Sequence, residues 1–303
     1  KRQTNKGFKF SEPDELFTEF EKTFPFQETP DQLHTIEEVI GDMTSDTSMD
    51  RLVCGDVGFG KTEIAMRASF KAVLDKKQVA ILVPTTVLAY QHYNSFVERF
   101  KQFPVNIEFL SRFKSKKQSD EILEQLENGK VDIVIGTHKL LSPKIKYQDL
   151  GLVIVDEEHR FGVAHKEKLK VLKINVDFLT LTATPIPRTL QLSFLGLRDL
   201  SIIKTAPPKR KSIKSYVIKE DKITIKNAIE KELARGGQIF IVHNRVHDID
   251  EYAAKIRDLV PSAEICVAHG QMSERILESK IKAFYSGHYN ILLSTTIIES
   301  GID

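Results

Sequence analysis

The stretch RLVCGDVGFGKTEIA, residues 51–65, constrains this chain more than any other. It sets GxxxxGKT between an apolar run that reads as a strand and a helical run that continues through EIAMRASFKAVL. Glycines let the segment Gly55, Asp56, Val57, Gly58, Phe59 and Gly60 curl until several N–H groups face one centre. The helix that follows adds partial positive charge at its N-terminus. In that context Lys61 is expected to reach the β and γ phosphates of a nucleoside triphosphate, and the hydroxyl of Thr62 to ligate Mg²⁺.

A phosphate loop needs an acid at the end of another apolar strand, and LGLVIVDEEHRFG supplies one. Asp156 is expected to hold the metal and Glu157 to orient and deprotonate the attacking water. His159 either couples the γ-phosphate to the second half of the chain or caps the strand end. Upstream, FPFQETPDQ places Gln32 just inside a helix opened by Thr29 and Pro30. Its amide offers a donor and an acceptor together, as the edge of adenine requires, and Phe26 could stack on the ring. The plainer alternative is that both residues only start a helix.

Around the loop, the runs RLVC, QVAILV, VNIEFL, VDIVIG, LGLVIVD and VDFLTLT alternate with amphipathic helical segments. That alternation implies a mostly parallel, doubly wound α/β sheet. One helix from about Lys116 is expected to stop at Gly129, and another from about Asp221 at Gly236 and Gly237. At TAPPKRKSIKS, residues 205–215, the periodicity gives way to prolines and cations. A linker is expected there, with a fresh strand, YVIK, after it. Beyond it QIFIVH, AEICVAH and NILLST alternate with helical runs near 246–259 and 273–286, so two similar lobes are read. The expected boundaries are 1–28 for an N-terminal arm, 29–205 for the first lobe, 206–214 for the linker and 215–303 for the second lobe. Leu16, Phe17, Phe20 and Phe24 fall at helical spacing in the arm, which either packs on the first lobe or docks a further domain.

Composition narrows the partners. With 44 basic and 42 acidic side chains, no large field advertises a nucleic acid, so any such contact is local or made by backbone amides and hydroxyls. Cys54 and Cys266 lie far apart in strand-like runs and read as buried, reduced thiols of a cytoplasmic protein. No apolar run reaches the ~18 residues of a membrane span. Lys1 at one end and ILLSTTIIESGID at the other read as the ends of an excised piece of something longer.

The order TPDQ, GDVGFGKT, PTTVLAYQ, LSRF, IGTHKLL, DEEH, LTATPIPRTL, HNRV, AHGQM and TTIIESGID resembles the superfamily-two helicases and translocases. GTHKLL, DEEHRFG and TATPIPRTL resemble the group that holds the bacterial transcription-repair coupling factors and the branch-migration helicases. GDVGFGKTEIA, MDRLVCGDV, LSRF, NRV and TTIIESGID look most like the coupling factors. Ser300 stands where the family more often has threonine.

The resemblance implies two RecA-like lobes with ATP and Mg²⁺ in the cleft between them, and translocation on double-stranded DNA. RNA polymerase and nucleotide-excision-repair proteins would be met by regions outside this chain. Thr85, Thr86, Ser111, Arg112, Thr137, His138, Thr295 and Thr296 would face DNA. Thr182 and Thr184 would either couple the sites or only cap a helix that begins near Pro187, Glu299 would couple the sites, and Gly301 and Asp303 would approach the nucleotide. The family pattern continues past residue 303 with a segment of the form QLRGRVGR, whose arginines reach the γ-phosphate. The second lobe is therefore expected to be incomplete at its C-terminal side. The chain alone should hydrolyse ATP poorly, since such an arginine is worth ~10³-fold or more.

Overall fold

The computed structural model describes residues 7–111, 114–158, 161, 162, 165, 167, 169, 176–183, 198–208, 210 and 213–295, omitting the side chains at 274 and 278. Within that span the chain divides into two compact units, with the break after Arg210.

The first unit opens with α1 (Glu15–Lys22), started by the Asp14 carboxylate, which accepts from the Phe17 N–H. It buries Phe17 and Phe20, and the Phe20 ring stacks on Phe70 at 4.2 Å with Phe100 at 4.9 Å. The arm therefore packs on its own lobe. Helix α2 (Pro30–Met43) begins at a reciprocal capping box in which Thr29 and Gln32 satisfy each other's backbone N–H groups.

Next come β1 (Asp50–Gly55), α3 (Lys61–Leu74), β2 (Gln78–Leu82), α4 (Thr86–Phe100), β3 (Ile107–Leu110), α5 (Lys116–Glu127) and β4 (Ile133–Gly136). Strands β5 (Leu150–Asp156), β6 (Asp177–Thr182) and β7 (Asp199–Ile203) complete a seven-stranded sheet. Its order is β3-β4-β2-β5-β6-β1-β7 and every pairing is parallel. Central strands such as IVIG and LVIV are apolar at successive positions because helices cover both faces. Strand β7 was not among the expected strands. Its sequence DLSII buries only Ser201 and Ile203, so it lacks the continuous apolar signature of its neighbours.

The second unit holds α6 (Lys222–Ala234), β8 (Ile239–Val242), α7 (Ile249–Leu259), β9 (Ile265–Ala268), α8 (Glu274–Tyr285) and β10 (Ile291–Ser294). Its three strands run parallel in the order β8-β10-β9. Ile229, Ile249, Ile256, Ile265, Val267, Ile291 and Leu293 form the core. The expected strand YVIK is a correction. Residues 213–220 pair with no strand among the described residues, and Tyr216, Val217 and Ile218 are exposed. β-propensity alone does not make a strand without a neighbouring edge to bond.

Both helix stops fall where expected, with Gly129 and Gly236 in the left-handed region at φ 68° and 73°. Cys54 and Cys266 are free and buried, and no helix among the described residues is long and apolar enough to cross a membrane.

Candidate nucleotide site and nucleic-acid face

Because the first sheet is parallel, all of its strands end on one edge, where ligands of open α/β sheets sit. β1 ends there in the phosphate loop and β5 ends there in Asp156, with β6 between them. Register pairs Cys54 with Thr182 and Asp156 with Leu181. Loop and acids therefore stand two strand spacings apart, about 10 Å.

Within the loop, Gly58 and Gly60 take φ of 76° and 81°. Gly60 is restricted twice, since a Cβ there would also collide with the Gln32 amide. Lys61 Nζ donates to the carbonyls of Gly55 (2.7 Å) and Asp56 (3.0 Å), so the ammonium folds over the loop it belongs to. No side chain caps α3, whose first turn contains Thr62. Gln32 buttresses the loop from behind. Its Nε2 donates to the Phe59 carbonyl at 2.9 Å and its Oε1 accepts from Thr29 N at 2.8 Å. Phe26 is 66% exposed and packs only its edge against Phe24.

At the acid strand, Asp156 Oδ2 lies 3.0 Å from Nε2 of His92 on α4. An ionised carboxylate can only accept, so the imidazole Nε2–H donates. Glu157 is buried and holds φ of 52°, unusual for a residue with a side chain. Its Oε1 accepts from Ala183 N at 3.0 Å and its own N–H donates to Leu181 O, which ties it to the end of β6. Glu158 is drawn the other way. It pairs with Arg198 at 2.9 Å, and Arg198 also meets Asp50 and Thr180. Thr182 is buried at the last position of β6.

The strands β3, β4 and β2 end on the other half of the same edge. Ser111 follows β3, Thr137 and His138 follow β4, and Thr85 and Thr86 open α4 after β2. Ser111 and Thr137 are buried and His138 is exposed, while the Thr85 hydroxyl caps α4 by accepting from Leu88 N. In the second unit Thr295 follows β10 and is buried. Arg112, His159, Thr184, Thr296, Glu299, Gly301 and Asp303 lie outside the described residues.

Three residues at the site escape sequence reasoning. His92 and Arg198 find their acids only through the fold. Arg210, one of the cations of the expected linker, lies over the Phe59 ring at 4.8 Å and 3.5 Å from Asp56.

Mg²⁺ and ATP fit the residues present. A metal held by one carboxylate, one hydroxyl and phosphate oxygens needs no cluster of protein ligands, and none of three or more is found among the described residues. The glycine cradle with a lysine at its mouth suits a polyphosphate.

Residues 29–193 match the DEAD/DEAH box helicase family, and residues 222–303 match the helicase conserved C-terminal domain. The chain is 55% identical over 302 residues to the transcription-repair-coupling factor of Bacillus subtilis, covering 100% of this chain and 26% of the relative. It is 57% identical to that of Haemophilus influenzae with the same coverage. Thus it spans about a quarter of the length of these curated relatives. A solved structure of RecG bound to a three-way DNA junction is similar at a TM-score of 0.78 and 35% identity, covering 100% of this chain and 41% of that one. The parallel sheets, the glycine cradle and the acid pair accord with these matches, and the chain belongs to the DEAD/DEAH box helicase family.

Proposed function

We propose that the chain is the two-lobed motor part of a longer ATP-dependent translocase on double-stranded DNA, of the transcription-repair coupling kind. The observation that carries this reading is that Lys61, which opens α3 after the loop from β1, and Asp156 and Glu157, at the end of β5, follow the two strands that flank β6 at one sheet edge. The identity of 55–57% to coupling factors over 302 residues selects the kind of motor.

In this reading Lys61 exchanges its loop carbonyls for β and γ phosphate oxygens, and the N–H groups of the loop and of the first turn of α3 hold the rest. Thr62 and Asp156 would hold Mg²⁺, which neutralises charge on the phosphates when bound. Glu157, fixed by Ala183 N–H, orients and deprotonates the attacking water. Phe26 stacks on the base. Gln32 selects adenine only by giving up a contact it already makes to Thr29 or Phe59, so base selection and loop shape are linked.

Thr85, Thr86, Ser111, Thr137, His138 and Thr295 meet the DNA backbone through hydroxyls and amides, with Arg112 and Thr296 beside them, and without reading bases. His159, Thr184, Glu299, Gly301 and Asp303 extend the coupling and nucleotide roles that the family resemblance implies. Cycles of lobe closure and opening would step one lobe along the phosphates. RNA polymerase and repair proteins would be engaged by other regions of the longer protein.

A branch-migration motor is the second reading, favoured by the likeness to RecG over the whole chain. The test is steady-state hydrolysis by the parent protein with and without duplex DNA, beside displacement of stalled polymerase and regression of a model fork. Lys61→Ala is expected to lose Mg-ATP binding, and Glu157→Gln to bind but not turn over. Undiminished hydrolysis by either variant overturns the site. Fork regression without polymerase displacement selects the second reading, and binding without turnover by the wild type demotes the chain to a nucleotide-gated interaction module.

A further inference from the structure

One helix joins the two halves of the sheet edge. Helix α4 begins at Thr85 and Thr86, on the half assigned to DNA, and packs along β3 and β4, whose ends carry Ser111 and Thr137. His92 lies seven residues after Thr85, two turns and about 10 Å along the same helical face. Its Nε2 bonds Asp156 Oδ2 at 3.0 Å, on the half assigned to the nucleotide. The imidazole is 8% exposed, rests against Phe96, and its Nδ1 meets no partner among the described residues. The Asp156 bond is thus the polar contact that fixes how this ring points. Sequence offers no reason for histidine here, since an apolar residue would pack equally well on this face of α4.

We propose that His92 is a positioning residue for Asp156, and that α4 uses it to pass DNA occupancy at Thr85 and Thr86 to the divalent cation at the nucleotide. This rests on the proposed nucleotide and DNA reading. The helix is rigid over two turns, so a shift of its first residues against a phosphate moves the imidazole with them. Asp156 follows because its Oδ2 is held from the helix side. A residue that orients a metal-holding carboxylate changes metal affinity rather than affinity for the metal-free nucleotide.

The test uses the 303-residue chain and a fluorescent ADP, with affinity read by anisotropy in EDTA and in Mg²⁺, each with and without a short duplex. His92→Gln keeps an amide N–H within reach of Asp156, whereas His92→Asn is too short and His92→Leu has no donor. Asn and Leu are expected to lose about tenfold or more of the gain that Mg²⁺ confers, with the EDTA affinity unchanged and the Mg²⁺ response to duplex abolished. Gln is expected to restore most of both. Thermal unfolding reports whether each variant is folded, and the Asn and Gln pair carries the result if Leu is not. An Mg²⁺ gain equal to wild type in Asn, or an equal loss in Gln and Asn, overturns the positioning role. A wild-type Mg²⁺ gain that ignores duplex overturns the coupling. A wild type that binds nucleotide in neither condition, like the Lys61→Ala control, instead overturns the underlying site.

Discussion

The two units use the same parallel α/β grammar but close their cores differently. In the first, Arg67 is 2% exposed and bonds Glu63 of its own helix, Glu21 of α1 and Glu28 ahead of α2. Arg99 of α4 reaches Glu63 and the Phe20 carbonyl and lies over the Phe20 ring. One ionic and aromatic knot therefore joins four segments on top of a sheet covered on both faces. In the second unit, α6 buries Ile229 alone, β8 leaves Phe240 and Val242 exposed, and Ile213, Tyr216, Val217 and Ile218 stand uncovered. The first unit has the rigidity a phosphate site needs; the second has apolar surface to spare.

The sharpest way to break this contrast is at the loop. Lys61→Ala should cost about a hundredfold or more in Mg-nucleotide affinity, read by anisotropy, because a charge-assisted contact to phosphate disappears. It should leave the reactivity of Cys266 in the second unit unchanged.

Arg67→Ala comes next. Removing one member of a buried ionic knot leaves Glu28 without its cation and Glu63 with Arg99 alone, and about 3–5 kcal/mol should be lost from the first unit in urea unfolding. A loss no larger than that of an exposed residue would show that the knot does not hold the unit together.

Acid should separate the units as well. Burial would raise the carboxyl of Glu28, but the Arg67 hydrogen bond, a backbone hydrogen bond and the charges of Arg67 and Arg99 together outweigh it and hold the group below its usual range. Burial acts likewise on Asp75, and hydrogen bonds from Lys71 and Ser11 again prevail. Both folded pKa values lie below the unfolded ones. The stability they contribute is present above about pH 4–5 and is lost as pH falls through the folded values. In the second unit the lowered carboxyl of Asp221, bonded by Thr224, is exposed and that of Asp248, bonded by His243, is half-buried, so their effect is more screened. Circular dichroism against pH should show the first unit losing more on acidification.

Each unit carries one buried thiol, which gives a smaller but cleaner measure. Burial pushes Cys54 up to about 11 and also raises Cys266, so neither reacts while its unit is closed. Alkylation at neutral pH should label Cys266 before Cys54, and the reverse order would refute the contrast. Smallest of all, Val217→Ser should shift stability by less than about 0.5 kcal/mol, because the side chain is already in water.

Local chemistry explains what could be read from sequence. The phosphate loop, the Thr29–Gln32 box and the glycine stops depend on residues within a few positions of one another, so pattern alone finds them. The strands β1 to β6 announce themselves because burial on both faces favours apolar residues at successive positions. DLSII hides because β7 lies at the sheet edge, and YVIK misleads because a strand is a property of pairs. His92 and Arg198 meet their acids across 64 and 40 residues, a relation only the fold creates. Gln32 was legible twice over, as a helix start and as a partner of the nucleotide loop, but its bond to Phe59 was not.

Strand β7 gives the linker a mechanical root. It leads to Lys204 and Thr205, whose N–H groups are clasped by Asp31, and it lies alongside β1 in five consecutive paired positions from Arg51 to Gly55. A pull directed along β7 would load that whole ladder in shear, with its bonds sharing the force instead of parting one at a time. Tension reaching the linker would thus be delivered to the strand that carries the phosphate loop before it could peel the sheet apart.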